Sequence, residues 1–281
     1  MPFELAFRLS GPLSGYRGGL PYRLNIAGTT RVLLAYLLAH PGKPQAKEHL
    51  GDLLWPCTSE AKRRSALNSA VHRLRKALHG LPATLECGHE AIALTLTAGN
   101  AVDADILRYH VERADRGLDA AAAQGLSAIL EITQRPFLEG IDGAWAITLR
   151  ERLFDLRIRG LAHLMRWHAS ERRYECALAV GREIVAEDPL RETIQCEVMW
   201  LYVLNGERAR ALRQFDDLET RLREEMAISP MEETCALHEH IRFGLERDLP
   251  GARPIPEHFA TVEKERRAVY AILSEGRQSR I

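Results

Sequence analysis

The sequence predicts an N-terminal α+β domain followed by an all-α domain of tetratricopeptide-like helical repeats. Two observations predict this fold class. Short alternating segments and short helical segments follow one another over residues 1–100, whereas the apolar spacing is helical from Asp103 onward. In addition, an Ala-Leu pair that begins at Ala177 recurs 34 residues later at Ala211, and this spacing is the repeat length of a tetratricopeptide unit.

The first predicted elements are two short strands, because apolar and polar residues alternate over residues 3–9 and again over 22–26. A first helix follows, capped by Thr29 or Thr30, and ends at a His-Pro-Gly run. A second short helix is predicted over residues 47–54, where leucines recur at helical spacing.

A third helix is predicted over residues 61–78, with Ser59 as its N-cap. It carries six of the 38 Lys and Arg residues of the chain and no Asp or Glu. On a helical wheel its apolar residues form one narrow stripe: Leu67, Val71, Leu74 and Leu78. The opposite side and its flanks hold the polar residues Lys62, Arg64, Ser65, Asn68, Ser69, His72, Arg73, Arg75 and Lys76. A helix in the major groove of DNA needs one anchored face and one cationic, hydrogen-bonding face. The alternative interpretation is a solvated basic face.

A β-hairpin is predicted after this helix. A Gly-Leu-Pro run at residues 80–82 ends the helix, and two alternating segments at 84–86 and 91–96 flank a Gly-His-Glu turn. Strands, three helices and a hairpin occur in this order in a winged helix-turn-helix, whose wing is the hairpin. We therefore expect a winged helix-turn-helix over residues 1–100.

Repeats of two antiparallel helices are expected over residues 101–247. Helix pairs at 103–132 and 144–170 precede the two units that carry the Ala-Leu pair, and together they would bury a continuous core. A linker rich in Pro and a last amphipathic helix at 261–274 are expected within residues 248–281.

The charge is unevenly distributed, although the formal net charge is zero. Residues 1–100 hold 12 Lys and Arg against 6 Asp and Glu, a surplus of +6, and the rest of the chain holds the balancing −6. This asymmetry predicts an N-terminal module that binds a polyanion. Five widely spaced cysteines favour reduced thiols, and neither a signal peptide nor an apolar run that could span a membrane is visible. We therefore expect a cytoplasmic protein.

No catalytic or cofactor-binding motif stands out in the sequence. It has no Gly-rich phosphate loop, no Gly-x-Ser-x-Gly and no His-Glu-x-x-His motif. Cys87 with His89, and His238 with His240, lack a second ligand pair at zinc spacing, so chance placement is the simpler explanation. We expect neither an enzyme nor a protein that needs a metal or another cofactor.

Several motifs, in order, resemble the Streptomyces antibiotic regulatory protein (SARP) family of bacterial transcriptional activators. They are the Leu-Gly-Asp-Leu-Leu-Trp-Pro run at residues 50–56, the basic run at 65–78, Val102 and Asp103, the Pro-Phe-Leu-Glu-Gly-Ile-Asp run at 136–142, Trp145, the Asp-Pro-Leu-Arg-Glu run at 188–192 and the closing run at 222–230. The resemblance covers about residues 3–245. It implies a DNA-binding domain similar to that of OmpR-type response regulators, followed by a bacterial transcriptional activator domain.

The resemblance also implies which residues contact DNA. The Arg-Leu-Arg-Lys run at residues 73–76 matches the recognition-helix motif of the family, so Arg73 and Arg75 inherit that role. The wing departs from the family, because Glu-Ala-Ile-Ala-Leu at 90–94 stands where Gly-Tyr-Arg-Leu is usual. The wing arginine is therefore missing, and His89 is the nearest substitute. The candidate DNA-binding residues are Lys47, Arg63, Arg64, Asn68, Ser69, His72, Arg73, Arg75, Lys76 and His89.

The expected function is that of a sequence-specific transcriptional activator that places residues 61–78 in the major groove. Its expected partners are double-stranded DNA, arranged as direct repeats in promoters, RNA polymerase holoenzyme, and a second copy of the chain on DNA. One rival is a tetratricopeptide adaptor whose basic helix binds an acidic protein, and another is a repressor that makes the same DNA contacts.

Overall fold

The computed structural model describes residues 4–243. The chain forms two compact units, Met1–Gly160 and Leu161–Ile281. The described residues contain seven strands: β1 (Glu4–Arg8), β2 (Ser14–Arg17), β3 (Leu20–Tyr22), β4 (Gln45–Ala46), β5 (Ala83–Cys87), β6 (Ala91–Leu96) and β7 (Asn100–Val102). They also contain ten α-helices: α1 (Gly28–Ala39), α2 (Lys47–Leu54), α3 (Glu60–Ala77), α4 (Asp103–Ala114), α5 (Ala120–Ile132), α6 (Ala144–Ser170), α7 (Tyr174–Glu187), α8 (Glu192–Leu204), α9 (Arg208–Arg221) and α10 (Glu232–Phe243).

The first sheet has the strand order β3-β2-β1-β7, with β1 antiparallel to β2 and parallel to β7. The prediction of a strand over residues 22–26 was wrong. Gly18 and Gly19 both adopt positive φ and close a two-residue turn between β2 and β3, so the strand pairing is complete at Tyr22. Strands β2, β4 and β7 were not predicted, since two to four residues are too few to show an alternating pattern.

The three predicted helices α1 to α3 are present. The predicted caps of α1 were wrong, because the helix begins at Gly28 and Thr30 lies buried inside it. Ser59 occupies the N-cap position of α3, but its side chain makes no capping hydrogen bond, and the main-chain carbonyl of Ser59 accepts the N–H of Arg63 at 2.9 Å. The order of strands, helices and hairpin is therefore the predicted one.

The predicted hairpin consists of β5 and β6. Their antiparallel register runs from Ala83 opposite Leu96 to Cys87 opposite Ile92, and β4 pairs with the other edge of β6. Because β4 leads directly into α2, this pairing ties the turn end of the hairpin to the amino end of that helix.

A buried carboxylate connects the first sheet to the helical region. Asp103, the first residue of α4, accepts the backbone N–H groups of Leu9 at 2.8 Å, Ser10 at 2.9 Å and Ala104 at 2.9 Å. Burial raises the pKa of Asp103, and these three donors oppose that rise. The Val-Asp motif at this position therefore fixes the end of β1 against the start of α4.

The predicted helix pair at residues 103–132 is confirmed as α4 and α5, but the second predicted pair, at 144–170, was wrong. These residues form the single helix α6. Gly160 does not break it, because its backbone remains helical and its missing side chain makes room for a neighbour. A Cβ added there would lie 3.0 Å from Val111 and 3.3 Å from Leu130.

The 34-residue repeat has a structural basis in the second compact unit. Its helices α7 and α9 begin at Tyr174 and Arg208, 34 residues apart. Each is preceded by a left-handed residue, Arg172 or Gly206, that ends the helix before it. The same closing hydrogen bond, from the N–H of residue i+5 to the carbonyl of residue i, recurs between Arg173 and His168 and 34 residues later in the next unit.

The repeated Ala-Leu pair contributes small, buried contacts. Ala177 and Ala211 are fully buried, and α7 packs closely on its neighbours at Gly181, where a Cβ would lie 2.7 Å from Val198 and 3.1 Å from Met165. No helix among residues 4–243 combines the length and apolar character needed to cross a membrane. The last predicted helix, at residues 261–274, lies outside the described residues.

Candidate nucleic-acid interface

The recognition-helix candidate α3 has the predicted orientation within the first unit. Its apolar stripe is buried, with Leu67 and Leu74 at 2% and 0% exposure, and Ala70 joins this buried face. The polar residues on the opposite side and flanks are exposed: Lys62, Arg64, Ser65, Asn68, Ser69, His72, Arg73, Arg75 and Lys76. The helix begins one residue earlier than predicted and so includes Glu60, but no other acidic residue.

Two arginines near the amino end of α3 have carboxylate partners. Arg63 pairs with Asp52 of α2 at 2.7 Å, and Arg64 pairs with Glu60 one turn earlier at 3.2 Å. The Asp52 and Glu60 carboxylates are themselves largely exposed. Exposed ion pairs of this kind contribute little stability, so either arginine can exchange its partner for a phosphate at small cost.

Arg73, near the other end of α3, is held by a hydroxyl group of α1. Its Nε donates a hydrogen bond to Oγ1 of Thr30 at 3.1 Å. Thr30 is only 2% exposed, so this acceptor is fixed in the fold. Consequently the Arg73 guanidinium lies on the α1 flank of the helix.

A groove of about 660 Å³ lies between the amino-terminal half of α3, the start of α2 and the turn of the hairpin. It brings together five of the predicted site residues: Lys47, Arg63, Arg64, Asn68 and His89. Three carboxylates also line it, those of Glu48, Glu60 and Glu90. We call this mixed-charge cleft the wing groove.

A second groove, of about 470 Å³, lies on the α1 flank of α3. Its polar lining comes from Arg73 and Lys76 of α3 and from Arg23 and Asn25 of the segment that leads into α1. No acidic residue lines it within the described chain. We call it the α1 groove. Arg23 was not predicted as a site residue. The alternating pattern over residues 22–26 indicated a strand, and a polar residue in such a pattern does not by itself indicate a binding site.

Three predicted residues line neither groove. Ser69, His72 and Arg75 are exposed on α3 between the two grooves or beside them. Because Ser69 is small, it leaves the helix backbone open to a close approach. His72 and Arg75 carry side chains that can donate hydrogen bonds.

The position of α1, which holds Thr30, depends on an aromatic cluster within the first unit. The hydroxyl of Tyr36 in α1 forms a hydrogen bond with Nε2 of His49 at 3.0 Å. The Trp145 ring packs edge-on against the Tyr36 ring, with the two centroids 5.1 Å apart. Burial raises the pKa of Tyr36. Trp145, one of the residues that resemble the SARP family, therefore packs against α1, the helix whose Thr30 accepts the hydrogen bond from Arg73.

The residue pairs that suggested a metal are not assembled into a site. Cys87 and His89 are both exposed on the hairpin, and residues 4–243 hold no group of three or more His, Cys, Asp or Glu side chains with the geometry of a metal site.

Comparison with known proteins gives three likenesses. Residues 102–242 match the sequence model of the bacterial transcriptional activator domain. The chain is 26% identical over 228 residues to the regulatory protein AfsR of Streptomyces coelicolor, a match that covers 80% of this chain and 23% of that protein. It is also 26% identical over 254 residues to the transcriptional regulatory protein EmbR of Mycobacterium tuberculosis, with 85% of this chain and 63% of EmbR covered. The chain thus spans less than two thirds of each relative.

A solved structure shares the fold. It is Mycobacterium tuberculosis EmbR in complex with a low-affinity phosphopeptide, at a TM-score of 0.74 and 21% identity, with 95% of this chain and 70% of that chain covered. This likeness confirms the predicted fold class, a winged helix-turn-helix followed by a tetratricopeptide-like helical domain.

Proposed function

The chain belongs to the SARP family of bacterial transcriptional activators, and from that premise we propose that it binds double-stranded DNA sequence-specifically, with α3 in the major groove. One observation carries the proposal: from residue 61 to its end, α3 exposes a polar face with five Lys and Arg and no carboxylate, while its apolar face is buried. DNA needs such a face, since phosphates repel carboxylates and base edges require donors at close approach.

The contacts divide by position along and around the helix. Ser69, His72 and Asn68 lie where the base edges would pass, and Arg75 can form two hydrogen bonds with a guanine. Lys76 and Arg73, on the α1 flank, are suited to phosphates instead, because the Thr30 hydrogen bond holds Arg73 to one side. Arg63 and Arg64 would exchange their carboxylate partners for phosphates.

The wing groove supplies the second set of contacts. Lys47, which starts α2, and His89, at the hairpin turn, stand on opposite walls of that groove from Asn68. With Glu90 beside it, the hairpin presents less positive charge than an arginine-bearing wing would. Most of the electrostatic contribution to affinity therefore comes from α3.

The helical repeats would hold the remaining partners: a second copy of the chain on adjacent direct repeats, and RNA polymerase. Members of the family act on DNA and the transcription machinery. The exposed polar surfaces of α7 and α9 support this role, because solenoid repeats present extended surfaces to other proteins. A protein that works on promoters would act in the bacterial cytoplasm, without chemistry of its own and without a cofactor.

Binding to the region upstream of the protein's own gene tests the proposal. In a gel-shift titration we expect retardation that survives an excess of random DNA. The affinity should fall with salt at a log–log slope of about −5, which corresponds to roughly six phosphate contacts. No retardation at moderate salt, together with capture of an acidic protein by the same helix, would instead support the adaptor. In vitro transcription from a retarded promoter separates activation from repression.

A further inference from the structure

We infer that the α1 groove seats a phosphate of the DNA backbone and that Arg23 is a DNA-contacting residue. The inference rests on the proposed DNA-binding function and extends the interface beyond the recognition helix. It assigns a role to the segment between β3 and α1, which none of the sequence motifs marks.

The electrostatic contrast between the two grooves carries the inference. Both flank α3, but carboxylates of Glu48, Glu60 and Glu90 line the wing groove, whereas the described lining of the α1 groove contains three cations and no acid. Cations without nearby carboxylates repel one another, and an anion between them removes that repulsion. A phosphate in the α1 groove therefore meets a positive potential that no internal partner reduces.

The three cations of the α1 groove keep hydrogen-bond donors for an anion. Arg23 and Lys76 are exposed, and no described carboxylate pairs with either side chain. Arg73 donates a hydrogen bond from Nε to the buried Thr30 hydroxyl, and its two terminal nitrogens can donate hydrogen bonds to a phosphate. A guanidinium fixed at one nitrogen loses little further conformational entropy when it binds a phosphate.

The α1 groove lies beside the face of α3 that would enter the major groove. Lys76 belongs both to the outward face of α3 and to the lining of the α1 groove. A backbone strand that borders the major groove beside α3 would therefore pass over Lys76 and meet Arg73 and Arg23 next. Asn25, also exposed in this groove, can donate its side-chain amide to the same phosphate.

Salt-dependent DNA binding by the full chain tests the inference, with R23A as the variant and R116A as the matched control. Arg116 is an exposed arginine of the same unit, beyond the end of α4, and lines neither groove. Loss of one phosphate contact should reduce the magnitude of the log–log salt slope by about 0.9 and weaken binding about fivefold at physiological salt. The loss should be equal for a retarded promoter duplex and a scrambled duplex. R23K should restore most of the slope, and R116A should behave as the parent chain.

Other outcomes overturn the inference in distinguishable ways. An unchanged slope for R23A, with normal binding by the parent chain, removes Arg23 from the interface and leaves the proposed function intact. Loss of discrimination at a single base pair would make Arg23 a base reader. If inorganic pyrophosphate raises the melting temperature of the parent chain but not of R23A, while R23A binds DNA with the parental slope, the groove takes a free phosphoryl ligand. If the parent chain shows no salt-dependent binding to duplex DNA, the proposed function and the inference both fail.

Discussion

Thr30 and Asp52 determine how two arginines of α3 can act. Neither residue belongs to the recognition helix, yet each holds one of its guanidinium groups, Thr30 that of Arg73 and Asp52 that of Arg63. The arginines themselves could be proposed from the basic run in the sequence. Their partners could not, because Thr30 lies 43 positions away on another helix and no local pattern connects them. At this scale the sequence predicts which side chains are available, and the tertiary contacts decide what each can reach.

The anchor on Arg73 leads to a prediction about specificity. Arg73→Ala should weaken binding by a similar factor for the preferred DNA sequence and for its single-base variants, because a guanidinium held toward α1 contacts phosphate. Titration of the variant against a set of duplexes with one substitution each measures this. A loss of roughly 1–3 kcal/mol in discrimination at one base pair would show that Arg73 reads a base instead.

A buried histidine gives the first unit a pH-dependent stability. His110 of α4 is 4% exposed, neither ring nitrogen has a hydrogen-bond partner among the described residues, and it packs against Gly125, where a Cβ would lie 2.5 Å from the ring. Burial lowers the pKa of His110, and the nearby Arg113 lowers it further. As the pH falls below about 6.5, the unfolded chain should therefore take up this proton more readily than the folded chain.

His110→Leu should remove this part of the pH dependence. Stability contributed by the neutral imidazole is fully present above the pKa of the unfolded chain and is lost as the pH falls toward the lowered pKa of the folded state. Urea unfolding at a series of pH values from neutral to mildly acidic measures the effect. The free energy of unfolding should fall less steeply for the variant than for the parent chain. Parallel curves would mean that His110 is not the group responsible.

At the scale of elements, the strength of the local pattern decided what could be predicted. The long helices and the β5–β6 hairpin follow from periodicity, and the 34-residue repeat follows from Ala177 and Ala211 at equivalent packing positions. The short strands β4 and β7 are defined by their pairing with β6 and β1, so no local sequence pattern predicts them. Residues 144–170 were predicted as a helix pair that completes the repeat array, but no local signal marks a break there and they form the single helix α6.

The phase of α3 gives a prediction about stability. Leu74 is completely buried on the apolar face, so Leu74→Ala should destabilise the first unit by about 2–5 kcal/mol. Ser69→Ala on the exposed face is the matched control and should change stability by about 0.5 kcal/mol or less. Urea denaturation monitors both variants. An unaffected midpoint for the leucine variant would mean that the helix is rotated relative to the core.

At the scale of the whole molecule, the distribution of charge along the chain agrees with the proposed roles, in which the N-terminal region binds DNA and the helical repeats bind protein partners. The surplus of +6 in residues 1–100 is concentrated on α3 and the α1 groove, and the balancing negative charge lies in the rest of the chain. The fold class and the family could be predicted from the sequence, because ordered motifs along the chain identify both. The α1 groove could not, since it forms only where the segment before α1 meets the far end of α3.

The central claim is that α3 lies in the major groove of DNA, and methylation interference on a retarded promoter fragment tests it most directly. Dimethyl sulfate places a methyl group on N7 of guanine, an atom that only the major groove exposes. We predict that methylation at a few guanines within the binding site abolishes complex formation, and that the pattern recurs in an adjacent direct repeat. Equal binding to methylated and unmethylated fragments would contradict the claim and place α3 outside the major groove.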